Sequence, residues 1–174
     1  MSFDNAKENL RELTKELNME NVQFDESHTC ILGIDDYSFH LTYEKVTEKL
    51  YVYCPIGNEL PTDKEVQRNL YEALLIGSML GGHMAGGGVG ISLDDGGLIL
   101  MHLTLDMRHA PPTDLRSHTP IFIEAVEKWR KAVQDIMEGR TPDLDIFLSE
   151  SQGDKKMKES PPSDKLSGGG FIRG

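Results

Sequence analysis

Along residues 1–138 the apolar positions follow two different periods. Phe3, Ala6, Leu10, Leu13 and Leu17 recur at three- and four-residue spacing, which predicts a helix capped by Asp4 or Asn5 and running to about Leu17. Its apolar stripe is narrow and its other faces are charged. Three strand signals follow, at 29–34, 37–43 and 50–54, with turns at Asp35-Asp36 and at 45–48. In the second of these, Tyr37, Phe39, Leu41 and Tyr43 alternate with Ser38, His40 and Thr42, so one face is expected in the core and the other outside. In the third, Leu50, Val52 and Cys54 are expected to face the core, leaving Tyr51 and Tyr53 on the opposite face.

Pro61 and Asp63 open a second helix predicted to run to about Leu80. One stripe holds Val66, Leu70, Ala73, Leu74, Gly77 and Leu80, while Tyr71, Leu75 and Met79 lie opposite. A domain of this size supplies core to only one of those faces, so the other is expected to meet a second subunit. Residues 89–93 and the apolar run around Ile99 (Leu98, Leu100, Leu103, Leu105) predict two more strands, joined by an Asp94-Asp95-Gly96-Gly97 hairpin turn. A last helix begins after Pro111 and Pro112, near Asp114, and ends at Gly139, with Phe122, Ala125, Val126, Trp129, Val133, Ile136 and Met137 on one stripe. The predicted order is α-β-β-β-α-β-β-α. This is an α+β fold with three helices and a five-stranded, mostly antiparallel sheet.

Charge divides the chain in two. Residues 139–174 carry six basic and six acidic side chains, so the net charge of -11 belongs entirely to residues 1–138. The same tail has eight hydrophobic residues in 36, with Pro142, Pro161, Pro162 and a run of glycines at 168–170. Such a composition cannot offset the entropy of ordering, so 139–174 is expected to be mostly disordered, with a short anchored piece conceivable around Leu144, Ile146, Phe147 and Leu148. The acidic balance argues against nucleic acid and against anionic membrane surfaces, both of which are bound through Lys and Arg. The opening MSFDNAKENLRELTK alternates charges where a signal peptide needs an apolar core. Cys30 and Cys54 lack any CxxC or zinc-finger spacing and are expected to be reduced, packed thiols in a cytosol.

No catalytic constellation is visible. The segment GSMLGGHMAGGGVG at 77–90 holds seven of the 17 glycines but lacks the GK[ST] of a Walker loop and the GxGxxG of a dinucleotide fold, and it follows a helix rather than a strand. Its bland reading is a helix C-cap followed by a close backbone crossing; the functional alternative is a small-ligand or nucleotide-binding protein using this segment. Residues 73–93 contain no Asp, Glu, Lys or Arg, yet their glycines, His83, Ser78 and Ser92 make a poor membrane span. The six histidines form no HExxH, the Asp pairs form no calcium loop, and Ser78 and Ser92 lack a GxSxG frame. No metal or cofactor is therefore expected, and no enzyme. What the sequence does offer is surplus apolar surface on an acidic protein, which points to protein interaction.

The order of elements, with ILGIDDYSFHLTYEKVTEKLYVYCPIGNELP and NLYEALLIGSMLGGHMAGGGVGISLDDGGLILMHLTLDM, resembles the class I type III secretion chaperones, the Tir-chaperone family. The likeness is greatest to chlamydial members, which share the GSMLGG…MAGGGVG stretch and a Gly-rich, Pro-containing tail. It covers about residues 1–140. The resemblance implies an acidic homodimer in the bacterial cytoplasm that binds the N-terminal chaperone-binding segment of secreted effectors. It further implies that this segment is kept extended and delivered to a secretion ATPase or sorting component, with no nucleotide or metal. By the same resemblance the dimer interface would involve Leu70, Tyr71, Leu74, Leu75, Met79, Val89 and Ile91. Effector contacts would fall at Leu10, Leu13, Ile31, Tyr51 and Tyr53.

Overall fold

The computed structural model describes residues 1–142. The expected tail beyond Pro142, with the apolar cluster around Phe147, lies outside the described residues. Three helices and five strands appear in the expected order: α1 (Ser2–Glu16), β1 (Thr29–Ile34), β2 (Tyr37–Glu44), β3 (Lys49–Gly57), α2 (Lys64–Ser78), β4 (Gly88–Ser92), β5 (Leu98–Asp106) and α3 (Asp114–Met137). The sheet is antiparallel throughout, in the spatial order β1-β2-β3-β5-β4.

Strict alternation puts Cys30 and Leu32, Phe39, Leu41 and Tyr43, Leu50, Val52, Cys54 and Ile56, and Ile99, Met101, Leu103 and Leu105 on one buried face. Against it α3 packs across β3 and β5, α2 packs on α3 and β4, and α1 packs on α3. Trp129, Phe122 and Val126 of α3 are buried at the centre. Each large apolar side chain removed from water contributes about 1.5–3 kcal/mol, which makes this one-sided core the main source of stability. No described helix is long and apolar enough to cross a membrane.

Several boundaries differ from the sequence reading, each for a local reason. The first helix starts at Ser2, ahead of Asp4 and Asn5, because both side chains are used elsewhere. Asp4 pairs with the N-terminal ammonium at 3.2 Å. The Asn5 amide donates to the carbonyls of Met107 (2.9 Å) and Ala110 (2.7 Å). Asn9, fully buried, donates to the Pro111 carbonyl at 3.1 Å and accepts the Leu115 N–H at 2.9 Å. That N–H belongs to the first turn of α3, whose own N-cap residue, Thr113, makes no side-chain cap bond. A side chain of the first helix therefore caps the last one.

The second helix is capped as expected by Asp63, whose carboxylate accepts from the N–H groups of Glu65 (2.8 Å) and Val66 (3.0 Å). It ends at Ser78, short of Leu80. Leu80 sits instead in a single 3-10 turn, Met79–Gly81, with φ +56°, and is fully exposed where the stripe predicted burial. Strand β3 runs on to Gly57 through Pro55, which is tolerated because the pairing with β2 has already stopped at Tyr53. The last helix ends at Met137, followed by Gly139 at φ +73°.

Candidate functional site

The face of the sheet turned away from the helices is open. Its central row crosses all five strands in register: Ile31 opposite His40, His40 opposite Tyr53, Tyr53 opposite His102, and His102 opposite Gly88. The His40 and Tyr53 rings stack with centroids 5.1 Å apart and 17° between planes. The next row holds Thr29, Thr42, Tyr51 and Thr104; on the other side Pro55, Leu100 and Gly90 line up. Every one of these residues is half-buried or exposed. The rows contain no carboxylate, ammonium or guanidinium, and charge returns only at the end row of Glu44, Lys49 and Asp106. On a chain of net charge -11, a neutral aromatic and apolar field of this extent is a distinct surface.

Of the residues expected to contact cargo, Ile31, Tyr51 and Tyr53 lie together on this face. Ile31 is 59 % exposed and sits on β1, an edge strand whose outer backbone row is closed at Thr29, whose N–H donates to the Asp25 carboxylate and whose carbonyl accepts the Asp25 N–H, both at 2.8 Å. Leu10 and Leu13 do not join them. They are 2 % and 4 % exposed, packed into the core on the α3 side of α1, because α3 covers the stripe that a lone amphipathic helix would leave bare. Leu13 only floors an open groove of about 290 Å³ between α1 and α3, together with Leu17, Pro120 and Ile123 and with Glu16, Glu124 and Glu127 around it.

The residues expected at a subunit interface also separate. Leu70 (0 % exposed) and Leu74 (2 %) belong to the inward stripe of α2 and are unavailable to a partner. Leu75 and Met79 project outward, 72 % and 71 % exposed, beside exposed Ile76 and half-buried Tyr71. Val89 and Ile91, opposite Met101 and Ile99, point to the helix side of the edge strand β4 and are half-buried.

The glycine segment is consumed by packing within the chain. A Cβ on Gly77 would lie 2.0 Å from the Trp129 ring, one on Gly81 2.7 Å from the Gly86 backbone, and one on Gly87 1.7 Å from the His102 carbonyl oxygen. The Trp129 indole N–H donates to the His83 carbonyl at 2.8 Å, tying the segment to α3. The segment is thus a close backbone crossing, as the bland reading had it, and the glycines that would cradle a phosphate are occupied by Trp129, Gly86 and His102. Gly86 and Gly90 are different: neither has a neighbour within 4 Å of its Cβ position, and Gly90 lies on the open face. His40 and His102 sit on the open face too, flanking Tyr53; what the sequence could not reveal was that they share its row.

Among the described residues no group of three or more His, Cys, Asp and Glu could hold a metal ion. Cys54 is buried and its thiol is pushed up to about 11 by desolvation, and burial also raises the Cys30 thiol, so neither supplies a thiolate near neutrality.

The Tir chaperone protein (CesT) family model matches residues 8–130. No curated protein matches the chain. Among solved structures it is similar to a chain of the HopA1–SchA chaperone–effector complex, at 21% identity and TM-score 0.58, over 74% of this chain and 94% of that one. It is similar also to the Yersinia pestis type III secretion chaperone SycH in complex with a stable fragment of YscM2, at 18% identity and TM-score 0.53, over 71% and 98%. The ExsC–ExsE complex matches at 12% identity and TM-score 0.59, over 75% and 94%. At these identities the three structures establish a shared fold. The family match spans most of the chain, through the helices and the whole sheet: the chain belongs to the Tir chaperone protein (CesT) family and is a non-enzymatic chaperone of type III secretion.

Proposed function

We propose that this chaperone works as a homodimer in the bacterial cytoplasm, holding the N-terminal segment of secreted effectors in extended form across its open sheet face. The single observation that carries this reading is the uncharged field around Ile31, His40, Tyr51, Tyr53 and His102 on a protein of net charge -11. An extended segment offers alternating side chains and unpaired backbone groups; the field accepts the former, and the edge of β1 beyond Thr29 supplies ladder hydrogen bonds to the latter. Large buried area offsets the entropy of keeping the segment ordered. The solved HopA1–SchA complex of similar fold joins a chaperone to an effector, which supports the same kind of partner here. The acidic remainder keeps the loaded particle soluble and suits a basic sorting component or secretion ATPase as the receiver. The outward face of α2 serves the dimer.

The test is hydrogen exchange on the chaperone with and without the N-terminal hundred or so residues of an effector captured from the native bacterium. Amides of β1 and of its neighbours in the sheet should gain protection. Protection confined to the α1–α3 groove or to the acidic surface would overturn the assignment of the cargo face.

A further inference from the structure

A second opening lies on the helix side of the domain. Between α1 and α3 a groove of about 290 Å³ is floored by Leu13 and walled by Leu17, Pro120 and Ile123, with Glu16, Glu124 and Glu127 at its rim. Leu17 and Ile123 are half-buried, while Pro120 and all three carboxylates are exposed. Pro120 lies inside α3 and has no N–H to give the Arg116 carbonyl one turn earlier. Arg116 lines the same groove, so a backbone acceptor short of its helical donor stands beside the apolar wall.

The rim is weakly committed within the chain. Glu16 pairs with Arg116 at 3.2 Å and Glu124 with Lys128 at 2.7 Å, but the two carboxylate side chains are 57 % and 58 % exposed. Exposed pairs of this kind contribute little and exchange readily for a better-placed cation. The groove is also clear of the surfaces already assigned. The first helix meets the first turn of α3, where Asn9 accepts from Leu115, whereas α2 meets its later part, where Gly77 faces Trp129. The open sheet face lies on the far side of the sheet from the helices.

We infer that the α1–α3 groove is a docking site for a basic amphipathic helix of a partner protein, its apolar side chains seated on Leu17, Pro120 and Ile123 and its Lys or Arg reaching Glu16, Glu124 and Glu127. The site is separate from the cargo face, so the partner is one that meets the chaperone while cargo is held, as the component receiving the loaded particle must; in this it rests on the placement of cargo on the sheet. The occupant follows from charge and backbone. Apolar walls within a ring of carboxylates, on a chain of net charge -11, attract a cationic segment and repel an acidic one. A second copy of this chain would set the same carboxylates against their own counterparts about a two-fold axis. Both walls are helices and offer no strand edge, so an extended segment finds no ladder there, while a helix satisfies its own backbone and needs only side-chain contacts.

Fluorescence anisotropy on the full chain tests this with a labelled peptide of about 14 residues, leucine at helical spacing on one face and lysine and arginine on the other. The peptide should bind saturably, more weakly as ionic strength rises, and equally well when the chaperone is already loaded with an effector N-terminal peptide. Glu124→Lys with Glu127→Lys should weaken it by about tenfold or more, whereas Glu59→Lys with Asp94→Lys, the same change of charge at exposed sites elsewhere, should weaken it far less. Leu17→Gln with Ile123→Gln should weaken it as much as the groove charge pair, with effector binding and circular dichroism unchanged; should that variant unfold, the charge pairs alone decide. Equal losses in the groove and distant charge variants would overturn the site and leave only diffuse attraction to an acidic protein. Competition between the peptide and the effector would make the groove part of the cargo path and overturn it likewise. An effector that gives the sheet face no protection in hydrogen exchange would overturn the placement of cargo instead, with the groove variants still deciding this site.

Discussion

The indole N–H of Trp129 and the carbonyl oxygen of His83 meet at 2.8 Å, joining the middle of α3 to the glycine-rich segment 46 positions earlier. That bond is possible because Gly77 lets the ring pack closely against α2, where a Cβ would stand 2.0 Å from the ring edge. Gly77→Ala must displace the ring from a fully packed centre and should destabilise the fold by about 3 kcal/mol, the upper part of the range for overpacked cores. Trp129 is the only tryptophan in the chain, so urea unfolding followed by its fluorescence reports both the loss of stability and the altered surroundings of the ring.

Asn9 is buried with both ends of its amide in use, as donor to Pro111 and acceptor from Leu115. Replacing it by leucine keeps the branched shape but leaves the buried Leu115 N–H without its acceptor, whereas the Pro111 carbonyl still accepts the Asp114 N–H at 3.0 Å. With one orphaned group, Asn9→Leu should cost about 1–3 kcal/mol in equilibrium unfolding.

The Cys54 thiol, with its pKa pushed up to about 11 by burial, is neutral at pH 8, with only about a thousandth of it ionised. Aromatic disulfide reagents should leave both cysteines nearly untouched in the native protein at that pH and react with two thiols per chain in denaturant. Rapid native labelling would show that the sheet interior opens readily.

Tyr51 and Tyr53 stand on the open face with no charged residue in their rows. Tyr51→Ala combined with Tyr53→Ala should weaken an effector N-terminal peptide by roughly 2 kcal/mol or more in calorimetry, because truncated aromatic anchors commonly cost that much. The dimer and the circular dichroism spectrum should not change. Unfolding would place these rings among the core supports instead.

Leu75 on α2 and Met79 immediately past its end are both exposed. Leu75→Glu with Met79→Glu should bring like charges together across a two-fold interface and leave monomers in light scattering. A persistent dimer would place the interface on another face.

Much of this architecture is legible in the residues. The stretch 29–34 reads as a strand with the bounds it has, and the parity of Leu50, Val52 and Cys54 correctly sends Tyr51 and Tyr53 to the other face. Three features were not legible, for different reasons. The burial of Leu10 and Leu13 depends on α3, a hundred residues away, so a narrow stripe on a charged helix looks like surface until its cover is known. Leu80 fits the helical period of Val66, Leu70, Ala73 and Gly77, and only the left-handed turn after Ser78 removes it from that stripe. The shared row of His40, Tyr53 and His102 needed the strand order itself, since nothing local says that β5 rather than β4 lies beside β3.

The cap that Asn9 provides for Leu115 spans 106 positions, and it sets an order of events during synthesis. The first helix leaves the ribosome early, but the groups that satisfy its buried amide, and the helix that covers Leu10 and Leu13, arrive only once the chain has grown past residue 115. At about 5–20 residues per second that interval is roughly 5–20 seconds, during which an apolar stripe is bare in the cytosol. A chaperone for secreted proteins is thus itself a nascent chain that stays unfinished until its last helix is made.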